Sequence, residues 1–123
     1  MTDRGLHQGL GRDERLRKRS EFLRAQARGR RCSGRHLVVY AMARTGEAEA
    51  QGARLGITVS KRVGGAVLRN RVKRWVRESY RKLSFPKTRP ADLVVIAKPS
   101  AAASSYRVID TELRQLLLSI EKP

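Results

Sequence analysis

The chain has 123 residues, with 28 Lys plus Arg against 11 Asp plus Glu, for a formal net charge of +17. That length holds one modest core and not two. The charge repels itself in any compact state and calls for a polyanionic partner; composition alone leaves both nucleic acid and an anionic membrane surface open.

No apolar run approaches the roughly 20 residues of a membrane span, and the charged first fourteen residues are unlike a signal peptide. Cys32 is alone, so no internal disulfide is possible, and with only His7 and His36 beside it there is no zinc spacing. The chain reads as cytoplasmic, and no residue is assigned to a metal.

Residues 1–14 mix Gly5, Gly9 and Gly11 with charges and few apolar side chains, too little to offset the entropy of ordering. They read as a flexible tail before a single domain over 15–123. Ser20 can cap a short helix carrying Glu21, Phe22, Leu23 and Ala25 and ending near Gly29, with Arg24 and Arg28 available to a ligand.

His36 to Ala43 alternates Leu37, Val39 and Ala41 with Val38, Tyr40 and Met42, a strand covered on both faces. Residues 45–52 read as a hairpin loop leading to a second strand over 54–60, where Leu55, Ile57 and Val59 alternate with Arg54, Gly56, Thr58 and Ser60. A basic turn with Gly64 and Gly65 precedes the longest helical pattern, Ala66 to Lys82. Pro86 and Pro90 break the chain before the run from Leu93 to Ala97, whose unbroken apolar character fits an interior strand. Ser104 or Ser105 can cap a last helix with Tyr106, Ile109, Leu113, Leu116, Leu117 and Ile120 on one stripe. The predicted order is helix, strand, strand, helix, strand, helix: an α+β sandwich of helices on a small mixed sheet.

The helix over Ala66 to Lys82 carries the functional signal. At about 100° per residue, Leu68, Val72, Trp75, Val76 and Ser79 share a core arc with Tyr80 at its margin. The other arc holds Arg69, Asn70, Arg71, Lys73, Arg74, Arg77 and Arg81, and Glu78 is the only acid in the segment. Arg69, Lys73, Arg77 and Arg81 form a ladder of like charges at i,i+4, which destabilises a free helix and is relieved when phosphates bind. Lys61 and Arg62 extend the positive surface into the turn, where the two glycines would let a phosphate approach the helix N-terminus; a plain turn explains the glycines almost as well. Trp75 and Tyr106 fit the core. For Phe22 and Tyr40, pattern leaves core and base-stacking cleft equally open.

The segment RLGITVSKRVGGAVLRNRVKRWVR, residues 54–77, resembles the signature of the bacterial ribonuclease P protein component, with Arg69, Asn70 and Arg71 as its hallmark. The resemblance extends through RLRKRSEFLR at 15–24, HLVVYAM at 36–42, Lys98 with Pro99, and the final helix. It implies a two-layer α+β sandwich with a left-handed βαβ crossover, a fold shared with certain ribosomal proteins and an exception to right-handed crossovers.

It further implies a protein that joins a large catalytic RNA to free the 5′ end of transfer RNA from its precursor, the RNA holding the Mg2+ ions of the reaction. By resemblance Arg69, Asn70, Arg71, Lys73, Arg74 and Arg77, with Lys61 and Arg62, contact the catalytic RNA. Phe22 and Tyr40, with Thr58 and Ser60, line a cleft for the precursor's 5′ leader. Gln26 stands where the family often has a second cleft aromatic, and Gly65 where a polar or basic residue is common.

The sequence offers no Ser-His-Asp set, carboxylate cluster or His pair for cleavage by the protein itself. Three other readings compete: a ribosomal protein shares size and charge, a stand-alone nuclease would cut without RNA, and a helix-turn-helix DNA binder is disfavoured by the flanking strands. Neither DNA nor membrane is the expected partner.

Overall fold

The computed structural model describes residues 18–43, 53–83 and 91–121; the expected tail and the loop over 45–52 lie outside them. In chain order the elements are α1 (Arg19–Arg28), β1 (Arg30–Ser33), β2 (Leu37–Ala43), β3 (Ala53–Val59), α2 (Ala66–Lys82), β4 (Ala91–Ala97) and α3 (Tyr106–Glu121).

The strands form one sheet in the order β1-β2-β4-β3. β2 is antiparallel to both β1 and β4, while β3 runs parallel to β4, so that β3, α2 and β4 make a βαβ crossover. The expected hairpin between the second and third strands is therefore not formed: β4 lies between them. Its residues 92–95 are all buried, as suits a strand paired on both edges and covered on both faces, whereas β3 carries Arg54 and Thr58 and takes an edge. β1 was not predicted because its sequence, RRCS, has a single apolar side chain and no alternation to read.

Alternation sorts the sheet's faces. Leu37, Val39, Leu55, Val59, Leu93 and Val95 point to the main core, where Val72 and Val76 of α2 and Ile109, Leu113 and Leu117 of α3 meet them. On the other face Ala25 of α1 packs on Val94, flanked by Phe22, Tyr40, Met42 and Ile96. The first layer is thus the α2 and α3 pair, the second the sheet, with α1 laid across part of the outer face.

Polar ties fix the helices. Ser105 caps α3, its Oγ accepting from the Val108 N–H at 3.3 Å. Further along α3, Glu112 Oε2 accepts from the N–H groups of His36 and Leu37 at 2.8 and 2.7 Å. The buried Ser79 Oγ of α2 donates to Asp110 at 2.6 Å, and Arg114 closes on the same carboxylate. Ser20, by contrast, is no cap: α1 starts at Arg19, two residues before a helix capped by Ser20 would, and the Lys18 N–H is met by the Glu21 carboxylate at 3.4 Å. Tyr106 is half-buried rather than core, lying beneath Lys82 Nζ at 5.7 Å from the ring centroid.

Candidate nucleic-acid interface

α2 begins directly after the 3-10 turn Lys61–Val63, whose Lys61 and Arg62 are exposed. Gly64 has φ +148°, and a Cβ there would stand 2.6 Å from the Leu68 side chain, so glycine is required. At Gly65 a Cβ would meet nothing, and the first turn of α2 holds no acid. From this start the helix buries Val72, Val76, Ser79 and Tyr80 and turns Asn70, Arg71 and Arg74 fully outward. Trp75 is half-buried at the core margin.

The charge ladder is real in position but not uniform in state. Arg81 is compensated, its guanidinium 2.8 Å from Glu78, which lowers the Glu78 pKa chiefly through that hydrogen bond. Arg69 is half-buried and donates from Nε to the Gly64 carbonyl at 3.2 Å, tying the basic turn to the helix. Arg77 also has an intramolecular partner. The outward charges with no such engagement among the described residues are Arg71, Lys73 and Arg74 on the helix and Lys61 and Arg62 on the turn.

Beside this helix a groove of about 560 Å³ runs between α1 and the β3 edge. Arg19, Phe22, Leu23 and Gln26 of α1 form one wall, Ile57, Thr58 and Val59 the floor, and Lys73 of α2 the far rim. Tyr40 is not in its lining but stands next to it on the same face, half-buried with Phe22 around the Ala25–Val94 contact. Ser60, just past β3, is exposed. Both aromatics therefore serve a small cluster and keep part of their surface open.

One determinant of this site was missed in the sequence. α1 is held at its angle by Arg54, which reaches Asp92 through Nε–Oδ1 at 3.0 Å and a terminal nitrogen to Oδ2 at 3.1 Å, and Glu21 of α1 at 3.0 Å. Burial works against the guanidinium charge, but the Asp92 and Glu21 carboxylates outweigh it and raise the Arg54 pKa. Asp92 directly before an apolar strand, with Arg54 at the start of another, was the available signal. Among the described residues no three His, Cys, Asp or Glu side chains gather as a cation site. Nor is any described helix long and apolar enough to cross a membrane.

The sequence model of the family described as Ribonuclease P matches residues 10–121. The chain is 44% identical over 110 residues to the ribonuclease P protein component of Ruegeria pomeroyi, covering 88% of this chain and 86% of that protein. It is 42% identical over 110 residues to the ribonuclease P protein component of Desulfovibrio desulfuricans, covering 88% and 83%. In structure it resembles the RNase P protein of Staphylococcus aureus, with a TM-score of 0.76 and 33% identity over 88% of this chain and 95% of that one. The Thermotoga maritima RNase P protein aligns with a TM-score of 0.74 and 31% identity over 89% and 99%. With its basic helix, its groove and these relatives in agreement, the chain belongs to the ribonuclease P protein component family.

Proposed function

We propose that this chain is the protein subunit of a ribonuclease P ribonucleoprotein, acting in the cytoplasm. It binds the catalytic RNA and the 5′ leader of precursor transfer RNA and assists endonucleolytic release of the mature 5′ end. The observation that carries this reading is the position of Lys73, which stands in the basic row of α2 and also on the rim of the groove. A surface for folded RNA and a slot for a single strand thus share one residue.

In this reading Lys61, Arg62, Arg69, Asn70, Arg71, Lys73, Arg74 and Arg77 hold phosphates of the catalytic RNA, the arginines able to do so at two points. Phe22 and Tyr40 offer ring faces to unpaired leader bases, which stack without regard to sequence, while Thr58 and Ser60 supply hydroxyls. The protein orients RNA and screens its charge. Bond cleavage belongs to the RNA, and so do the Mg2+ ions; among the described residues no three His, Cys, Asp or Glu side chains gather to hold such an ion.

The test is reconstitution: the protein, a bacterial ribonuclease P RNA and a precursor transfer RNA at low magnesium, with each component alone as control. Cleavage at the mature 5′ end that needs both is expected. Tight RNA binding without stimulation would favour a ribosomal-type binder, and cleavage by the protein alone would overturn the assignment of chemistry to RNA.

A further inference from the structure

Between Glu21 and Glu47 the sequence has no acid and six arginines, at 24, 28, 30, 31, 35 and 44. The α2 surface does not use them. β1, which carries Arg30 and Arg31, is the sheet edge opposite β3.

Register decides which of them faces the groove side. Arg31 pairs with Tyr40, Tyr40 with Val94, and Val94 with Gly56, one row across all four strands on the α1 face. The next row on that face is Ser33, Val38, Ile96 and Thr58. α1 crosses the other end of this face, since Glu21 meets Arg54 and Gly29 abuts the Ala41 carbonyl. Tyr40, Ile96 and Thr58 consequently remain half-exposed in front of it. Arg30 and Cys32 alternate to the opposite face, where Cys32 packs on the main core. Arg31 is exposed, and its side chain makes no hydrogen bond or ion pair with the described residues.

We propose that Arg31 is a phosphate-binding residue for the precursor leader, at the end of a path that enters at Thr58 and Lys73, passes Phe22 and Tyr40, and leaves over β1. This rests on the leader reading of the groove given above. The chemistry is that of a single-stranded polyanion over a sheet: an aromatic receives a base, and a guanidinium one strand further receives the next reachable phosphate in two-point fashion. Strand spacing sets the extra reach from Tyr40 to Arg31 at about 4.8 Å. Charge on an edge strand also discourages edge-to-edge pairing, but that role has no dependence on leader length.

The experiment measures affinity of the reconstituted holoenzyme for precursors with a long leader and with a one-nucleotide leader, for the natural protein and for Arg31→Ala, Arg31→Lys and Tyr40→Ala. Arg31→Ala is expected to lower the long-to-short affinity ratio by about three- to tenfold, the scale of one solvent-exposed contact, with Arg31→Lys recovering part of it. A ratio unchanged by Arg31→Ala while Tyr40→Ala lowers it would overturn the proposal and leave the leader groove standing. Equal loss on both precursors would also overturn it, showing that Arg31 acts on the fold or the transfer RNA body. No leader-length preference in the natural protein would sink the groove reading and this proposal together.

Discussion

Arg54 and Asp92 are register partners on the parallel strands β3 and β4, and their side chains also meet through two hydrogen bonds, at 3.0 and 3.1 Å. Asp92 is 3% exposed, and this fork sets two guanidinium N–H donors against its buried carboxylate. The second contact of Arg54, to Glu21, carries the effect outward to α1 and hence to the wall of the groove. Asp92→Asn leaves the guanidinium with one carboxylate and is expected to cost about 3 kcal/mol in urea unfolding. Glu21→Gln, at the more open end, should cost under about 1 kcal/mol. The reverse order would show that Arg54 is anchored from the helix side instead.

Gly29 ends α1 with ordinary extended torsions, so its need for glycine is one of space. A Cβ there would lie 2.5 Å from the Ala25 carbonyl oxygen and 2.8 Å from that of Ala41, and both obstacles are backbone. Gly29→Ala should therefore push α1 away from β2, lowering stability by about 1–3 kcal/mol, as overpacking does. Gly65→Ala, with open space around it, serves as the comparison and should change stability by well under 1 kcal/mol. Equal effects at the two positions would refute the steric account.

The contrast between these glycines shows what the sequence could and could not tell. α2 and α3 were legible because one-sided burial writes a period of 3.6 into Val72, Val76 and Tyr80 and into Ile109, Leu113 and Leu117. The basic face was legible for the same reason, since whatever the core leaves over is presented outward. Strand order was not. Alternation in β2 and β3 fixes which face each residue takes but carries no information on which strand lies beside it, and β4 took the place between them. The Glu21–Arg54–Asp92 tie was equally hidden, because three charges separated by 33 and 38 positions look in sequence like unrelated surface groups. The pattern at Phe22 and Tyr40 was ambiguous between core and cleft for a physical cause: each side chain is packed on one side and half open on the other.

The Ser79–Asp110–Arg114 tie makes stability depend on pH. Burial is the strongest influence on Asp110 and opposes its charge, but the Ser79 hydroxyl and the Arg114 guanidinium together hold its pKa below the ordinary Asp value. A folded pKa below the unfolded one gives a contribution that is fully present above the unfolded value, about 3.9, and is lost as pH falls through the folded value. Asp110→Asn should thus lower stability near neutrality while flattening the loss of stability below about pH 4. Parallel stability-against-pH curves for the two proteins would exclude Asp110 as a contributor to the acid limb.

The arginines of α2 differ in how they are held, and that difference predicts separable effects of substitution. The Arg71 and Arg74 side chains are exposed and make no hydrogen bond or ion pair with the described residues; Ala at Arg71 removes charge alone, and Ala at Arg74 also removes a weak attraction to Glu78. Each is expected to reduce the slope of log affinity for the ribonuclease P RNA against log salt by about 0.7–0.9, one phosphate contact, with thermal stability unchanged. Arg69 also donates to the Gly64 carbonyl, so Arg69→Ala should reduce the slope and in addition destabilise the turn by about 1 kcal/mol. Arg81→Ala, which removes a guanidinium already committed to Glu78, should change the slope least of the four. Salt titrations of binding and thermal melts on the same four proteins decide the matter. A slope that falls equally for Arg81→Ala and Arg71→Ala would mean that RNA draws Arg81 away from Glu78, and that the whole row from Arg69 to Arg81 engages phosphate.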